Sequence, residues 1–209
     1  MRYVIVPGID NSDDAHWQSR WQADWGSAAS RIQVGSWTEP DLPDWQQALD
    51  DAVSATGDEP VVLVAHSLGC LAATSWAITR ARSTATASQA RRLNGLVSEP
   101  TTVGLFLVAP PDPLANSFPA TARTFVTEPA ALPVPGFVVC SDDDPYSPRT
   151  ATDRMSRGWQ VPHVSVGAAG HLNTASDLGD WNTGRNLLTA FLAGLLGERA
   201  RHLRRRSGD

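Results

Sequence analysis

The stretch "VVLVAHSLGC", residues 61–70, decides how this chain is read. An unbroken apolar run ends on His66 and Ser67, and Gly69 follows two places later. A run of this length without polar alternation reads as a strand buried on both faces. The next stretch, "GCLAATSWAITR" at 69–80, reads as a helix. Between them, "AHSLG" matches the nucleophile elbow G-x-S-x-G, with Ala65 in place of the first glycine. A small residue at 65 suits a tight strand–helix crossing, and Gly69 lets the helix start close to the strand. A helix beginning at Leu68 aims backbone N–H groups at the same point, ready to meet an anion. Ser67 is therefore a candidate nucleophile, against the plainer reading of a turn serine.

Working outward, other apolar runs recur: "YVIVPG" at 3–8, "RIQVGSW" at 31–37, "LFLVAP" at 105–110, "FVVCS" at 137–141 and "HVSVG" at 163–167. Helical patterns separate most of them. "HWQSRWQADW" spaces Trp17, Trp21 and Trp25 four apart, one stripe of a helix. "LPDWQQALDDAV", "RTATDRMSRGW" and "GRNLLTAFLAGLLGE" supply three more. Alternating β and α elements argue for a parallel, doubly wound α/β sheet with helices on both faces. Two segments break the rhythm: a Ser-, Thr- and Arg-rich stretch at 80–102, read as an insertion, and a Pro-rich stretch at 110–136 that could roof a pocket. We read residues 1–198 as a single domain and 199–209 as a basic, disordered tail.

A serine hydroxyl needs a base, and the base an orienting acid. In this motif's fold the chain order is Ser, acid, His. "FVVCSDDDPYSP" puts Asp142, Asp143 and Asp144 directly after the fifth run, and "VSVGAAGHLN" puts His171 in a Gly-rich loop after the sixth. Of the remaining histidines, His163 starts a strand, His202 lies in the tail, and His66 adjoins Ser67 in a turn that keeps its ring off that hydroxyl. His16 heads the tryptophan helix. His171 is the expected base. Asp144 precedes Pro145 and is the expected acid, with Asp142 or Asp143 as alternatives and Asp112 as an outsider. The oxyanion donors expected are the backbone N–H of Leu68 and one from the first loop, near Gly8 and Ile9.

The chain's 209 residues suffice for one well-buried domain. A net charge of -5 argues against a general nucleic-acid binder. Cys70 and Cys140 form no metal-ligand spacing, so no metal is expected, and both read as buried free thiols. "MRYVIVPG" enters a strand directly and no run approaches a membrane span, so a cytoplasmic protein without leader is expected.

"VPG" followed by "HWQSRW", with "AHSLG", "VAPPD", "SDDDPYSP" and "GHLN" followed by Trp181 and Gly184, resembles the small bacterial α/β hydrolases related to retinoblastoma-binding protein nine. The resemblance covers nearly the whole chain. It implies an α/β-hydrolase-like three-layer sandwich of about six parallel strands in the order 2-1-3-4-5-6, with no large lid domain. It implies Ser67 as nucleophile, Asp144 as acid and His171 as base, and places His16 and Trp17 against the pocket. The first loop, "IDNSDD", departs from the glycines common in that family. The namesake's Leu-x-Cys-x-Glu motif is missing: "LGCLA" at 68–72 has no Glu, so no retinoblastoma-type pocket protein is expected as partner.

These readings converge on a serine hydrolase cleaving a small-molecule ester, or an amide, without a cofactor. Phe118, Phe125 and Tyr146 are candidates to line its pocket. A non-catalytic scaffold on the same fold and an acyltransferase using the same three residues are the alternatives.

Overall fold

Six short strands, β1 (Arg2–Val6), β2 (Ala29–Arg31), β3 (Val61–His66), β4 (Thr102–Val108), β5 (Gly136–Cys140) and β6 (His163–Ser165), carry the architecture. They pair in the order β2-β1-β3-β4-β5-β6 and every pair is parallel. The computed structural model describes residues 1–91 and 102–207, with side chains for 1–83 and 104–197. It forms two compact units, Met1–Gly179 and Asp180–Asp209.

In the first unit, helices α1 (Trp17–Trp25), α2 (Leu42–Ser54), α3 (Leu68–Arg91) and α4 (Arg149–Trp159) fill four of the five connections between strands, and a 3-10 turn at Ala120–Phe125 lies in the connection from β4 to β5. Strand side chains alternate between faces. Val4, Val6, Leu63, Ala65, Leu105, Leu107 and Val138 share one buried cluster with Trp45 of α2, Trp76 of α3 and Met155 and Trp159 of α4. The alternate residues Ile5, Val62, Val64, Phe106 and Val139 are fully buried toward the other face. His66 belongs to that second face by parity. The ring of Trp17 meets it edge-on at 6.1 Å, and Trp21 packs on Trp17 at 4.6 Å, so α1 covers that side. Burial on both faces explains why the strands carry apolar runs instead of alternation.

Register brings the strand ends together. Val6 pairs with Ala65, His66 with Val108 and Cys140 with Ser165. The loops that leave those ends therefore gather on one edge of the sheet, where open α/β sheets take their ligands.

The structure differs from the sequence reading at the second strand and at the C-terminal segment, and adds to it at 80–102. The second strand was expected over 31–37, but β2 is Ala29–Arg31. It is an edge strand that pairs only with Tyr3 to Ile5. The chain then leaves the sheet, and the Trp37 carbonyl accepts the Asp10 N–H at 3.1 Å, bracing the first loop. Of the 80–102 insertion, residues up to Arg91 continue α3, and 92–101 lie outside the described residues. In the second unit, α5 (Asn182–Ser207) carries helical backbone through most of the segment read as a tail. Trp181 there lies over Gly184, where a Cβ would strike the indole ring. No helix among the described residues is long and apolar enough to cross a membrane.

Candidate active site

The elbow is built by backbone. Ser67 sits between β3 and α3 with φ of 52°, a left-handed conformation rare outside glycine. Its N–H is held by the Val108 carbonyl at 2.9 Å, and its carbonyl accepts the Cys70 N–H at 2.9 Å. A Cβ on Gly69 would collide with the carbonyl oxygens of Val6 and Pro7. Glycine is thus required for α3 to cross β1 this closely. The turn lifts Oγ off the sheet edge and leaves the Leu68 N–H, first of its helix, without an intrahelical partner.

His171 lies in the loop after β6, between Gly170 (φ 59°) and Leu172 (φ 52°). Its Nε2 is 2.8 Å from Ser67 Oγ. Its Nδ1 is 2.9 Å from each carboxylate oxygen of Asp144. An ionised carboxylate only accepts, so Nδ1 carries the proton and Nε2 is free to accept from Ser67. The Asp144 side chain is 1% exposed and that of His171 9%, so little water competes for either contact. Asp144 Oδ1 also accepts the Tyr146 N–H at 2.9 Å.

The three adjacent aspartates divide. Asp142 accepts from Ser165 at 2.6 Å and from Arg149 at 2.7 Å, and these bonds hold its carboxyl below the usual range. Asp143 accepts from Ser141 Oγ and from the Gly170 N–H, both at 2.7 Å, and its carboxyl is likewise lowered by those bonds. It therefore anchors the backbone beside His171. Asp144 alone reaches the imidazole. Asp112 is taken by Arg154 at 2.5 Å and the Leu114 N–H at 2.9 Å. His163 opens β6 and pairs with Asp153 at 3.1 Å.

The first loop leaves β1 through Pro7 and Gly8. A Cβ on Gly8 would lie 2.8 Å from Ser67 Cβ and 3.2 Å from Oγ, so this backbone rests directly on the serine. The Asn11 N–H closes a turn onto the Gly8 carbonyl at 3.2 Å, with Asp10 and Asn11 both left-handed at φ of 63° and 66°. These non-glycine residues hold φ values that glycines would hold more cheaply. Arg31 stabilises them: its guanidinium donates to Asn11 Oδ1, the Ser12 carbonyl, Ser19 Oγ and Gln22 Oε1 at 2.8–2.9 Å. The Ile9 and Leu68 N–H groups have no hydrogen-bond partner among the described residues.

A cleft of about 660 Å³ opens over Ser67. Gly8, Ile9, Leu68, His16, Phe118 and Tyr146 all border it. Two other expected lining residues do not. Trp17 is 1% exposed and donates its indole N–H to the Leu172 carbonyl at 2.8 Å, supporting the His171 loop from behind. Phe125 is 1% exposed and packs edge-on against Trp45 at 5.2 Å, within the core.

Sequence reasoning missed the part played by His66. Its ring turns away from Ser67, and Nε2 meets the His171 carbonyl at 2.9 Å. Burial drives its pKa well down, with His16 and His171 adding to the effect, so the ring is neutral and Nε2–H is the donor. The residue before Ser67 thus straps the His171 loop to the strand–helix turn. His16 lies against it, with ring centroids 4.8 Å apart. Both cysteines are free and buried. Burial pushes the Cys70 thiol far above its ordinary pKa. Among the described residues no group of three or more His, Cys, Asp or Glu could hold a metal ion.

A parallel sheet in this order, with a serine on a left-handed turn and a histidine and carboxylate from later strand ends, defines an α/β-hydrolase fold. The chain belongs to the serine hydrolase family, whose model matches residues 3–190. No curated protein sequence matches it. Among solved structures it is similar to a protein described as a YdeN-like hydrolase from Pectobacterium atrosepticum, with 29% identity, 93% of this chain and 91% of that one covered, and a TM-score of 0.73. The ydeN product of B. subtilis matches at 20% identity over 92% of this chain and all of its own, with a TM-score of 0.66. Est1E of Butyrivibrio proteoclasticus, solved with ferulic acid, matches at 13% identity over 91% and 89%, with a TM-score of 0.59. The last two speak for the fold alone.

Proposed function

We propose that the protein is a serine esterase that cleaves a small-molecule carboxylic ester through Ser67, His171 and Asp144, by way of an acyl-enzyme. The observation that carries this reading is the unbroken relay from Ser67 Oγ through the imidazole, at 2.8 and 2.9 Å, to a buried carboxylate. Ser67 Oγ attacks the carbonyl carbon while its proton passes to His171 Nε2. The charge that develops on the carbonyl oxygen is met by the Leu68 and Ile9 N–H groups, at no cost in reorganisation. Asp144 stabilises the imidazolium without taking its proton. His171 then returns the proton to the departing alcohol oxygen. A water molecule, deprotonated by His171, attacks the acyl carbon and frees Ser67. None of these steps calls on a metal or organic cofactor, and an amide is within reach of the same chemistry.

The shared motifs favour placing the chain with the small bacterial hydrolases related to retinoblastoma-binding protein nine, acting in the cytoplasm. The test is intact mass after treatment with a fluorophosphonate, on wild type, Ser67→Ala and His171→Ala. One adduct on wild type and none on either variant is expected, because only an activated serine reacts within minutes. A folded wild type that takes no adduct would sink the esterase reading and turn attention to a binding role.

A further inference from the structure

The proposed chemistry calls on only the last residue of "SDDD", 141–144, yet Ser141 and Asp143 turn toward the segment that carries the base. β5 and β6 pair through Cys140 and Ser165, so the residues that follow each strand leave side by side. The chain from β6 to His171 passes through "GAAG" at 167–170, which has no polar side chain of its own. Gly167 and Gly170 both hold left-handed φ, 84° and 59°. Such a segment turns freely and cannot order itself by side-chain contacts. What fixes it must come from another element.

Ser141 follows β5 directly and is 1% exposed. Its Oγ accepts the Ala169 N–H at 2.8 Å. Its single hydroxyl proton has two acceptors in reach, Asp143 Oδ1 at 2.7 Å and the Gly167 carbonyl at 3.1 Å, and the nearer, charged one takes it. Asp143 Oδ1 accepts the Gly170 N–H as well, at 2.7 Å. Two successive N–H groups of the loop thus end on one serine–carboxylate pair. The carbonyls that come next are held from β3 and α1 instead, His171 by His66 Nε2 at 2.9 Å and Leu172 by the Trp17 indole at 2.8 Å. The backbone is therefore gripped on both sides of the imidazole.

We propose, building on the esterase reading, that Ser141 and Asp143 are positioning residues for His171, and that Asp143 acts as a hydrogen-bond acceptor and not through its charge. His171 must keep Nε2 at 2.8 Å from Ser67 Oγ while it gains a proton and hands it on. A small displacement of the ring spoils that alignment, and "GAAG" supplies no side chain to restore it. Neither Ser141 nor Asp143 touches the reacting atoms; both act through the N–H groups of Ala169 and Gly170. Asp143 is exposed, so solvent screens its charge and competes for its oxygens. Ser141 is out of reach of water and contributes the larger share.

The rate of phosphonylation by a fluorophosphonate reads the Ser67–His171 alignment directly. Ser141→Ala should slow it by about tenfold or more, and Asp143→Ala by a smaller factor, with circular dichroism like wild type. Asp143→Asn keeps an oxygen for Ser141 and Gly170 and should recover most of what Asp143→Ala loses. With 4-nitrophenyl butanoate the loss should fall on kcat, with KM little changed. The Nδ1 proton of His171, bonded to Asp144, gives a low-field NMR resonance that is identified by its absence from His171→Ala. It should broaden through exchange with water in Ser141→Ala and Asp143→Ala, and stay sharp in Asp143→Asn. A lowered thermal midpoint with an unchanged phosphonylation rate would assign both residues to stability alone and overturns the proposal. So does an Asp143→Asn as slow as Asp143→Ala, a change in KM alone, or an unmoved Nδ1 resonance in Ser141→Ala. A wild type that takes no adduct defeats the esterase reading instead, and the Nδ1 resonance still decides whether the pair holds the ring.

Discussion

The elbow and the first loop both border the cleft over Ser67, and they are made in different ways. The elbow is held by main chain: β3 is paired on both sides, the Ser67 N–H is bound to Val108, and α3 crosses β1 with room only for glycine at 69. The first loop is held by side chains. Asp10 and Asn11 occupy left-handed conformations, and Arg31 with Asn11, Ser12 and Ser19 keeps them there. A backbone-built element tolerates no local change. A side-chain-built one loses its shape in steps. The two regions should therefore respond differently to substitution.

The largest effect belongs to the elbow. Gly69→Ala drives a methyl group into the Val6 and Pro7 carbonyl oxygens, which are backbone atoms at the C-terminal end of β1. The expected loss exceeds about 4 kcal/mol, in the range reserved for core overpacking and backbone strain. Chemical denaturation would read it, and a midpoint within error of wild type would show that α3 can slide on β1. Next comes the point where the regions touch. Gly8→Ala puts its methyl 2.8 Å from Ser67 Cβ. The sheet is left intact while the loop or the serine moves by a fraction of an ångström. kcat/KM should fall by about 10²-fold or more, as misplaced oxyanion donors do, with the fold retained by circular dichroism.

How readily each region is read from sequence follows the same division. "AHSLG" is legible because the elbow's constraints are local: a small residue, the serine and a glycine within one turn. The order of the strands and the positions of His171 and Asp144 at later strand ends follow from topology. Asp144 could be favoured over its two neighbours from its place before Pro145. What Asp142 and Asp143 do depends on Arg149, Ser165 and Gly170, contacts that spacing does not reveal. "IDNSDD" hides its conformation, because its left-handed residues are not glycines and their support, Arg31, comes from β2. Aromatic residues mislead for a related reason. Trp17 and Phe125 come from segments that border the cleft, yet each turns into the protein, and only packing decides which side a ring takes.

Arg31 offers an intermediate effect. Arg31→Met keeps much of the buried stem and removes four hydrogen bonds to the loop and α1. Ile9 then loses its fixed position while the Leu68 donor stays. A fall of about tenfold in kcat, with KM little changed, is expected for a donor that matters only as charge develops. A rise in KM alone would mean that the loop serves binding instead.

The smallest effect sets the regions against each other through their histidines, His16 from the first loop and His66 from the elbow. Both are buried and neutral, and burial is the main cause of their lowered pKa values. In the unfolded chain each takes a proton near its ordinary value of about 6.5. The unfolded state therefore binds more protons below that pH, and stability falls as pH drops. For His16 the loss runs from pH 6.5 down to about 4, with Asp13 opposing the shift. For His66 it starts at the same pH and continues further down. Within this window each histidine contributes at most about 1.4 kcal/mol per pH unit to the slope. His16→Asn and His66→Gln should each flatten the fall in unfolding free energy between pH 6.5 and 5, by up to one proton. If both variants keep the wild-type slope, the two rings take up protons in the folded state and are not held neutral by burial. The variant that flattens the slope more identifies which region holds its histidine more firmly out of water.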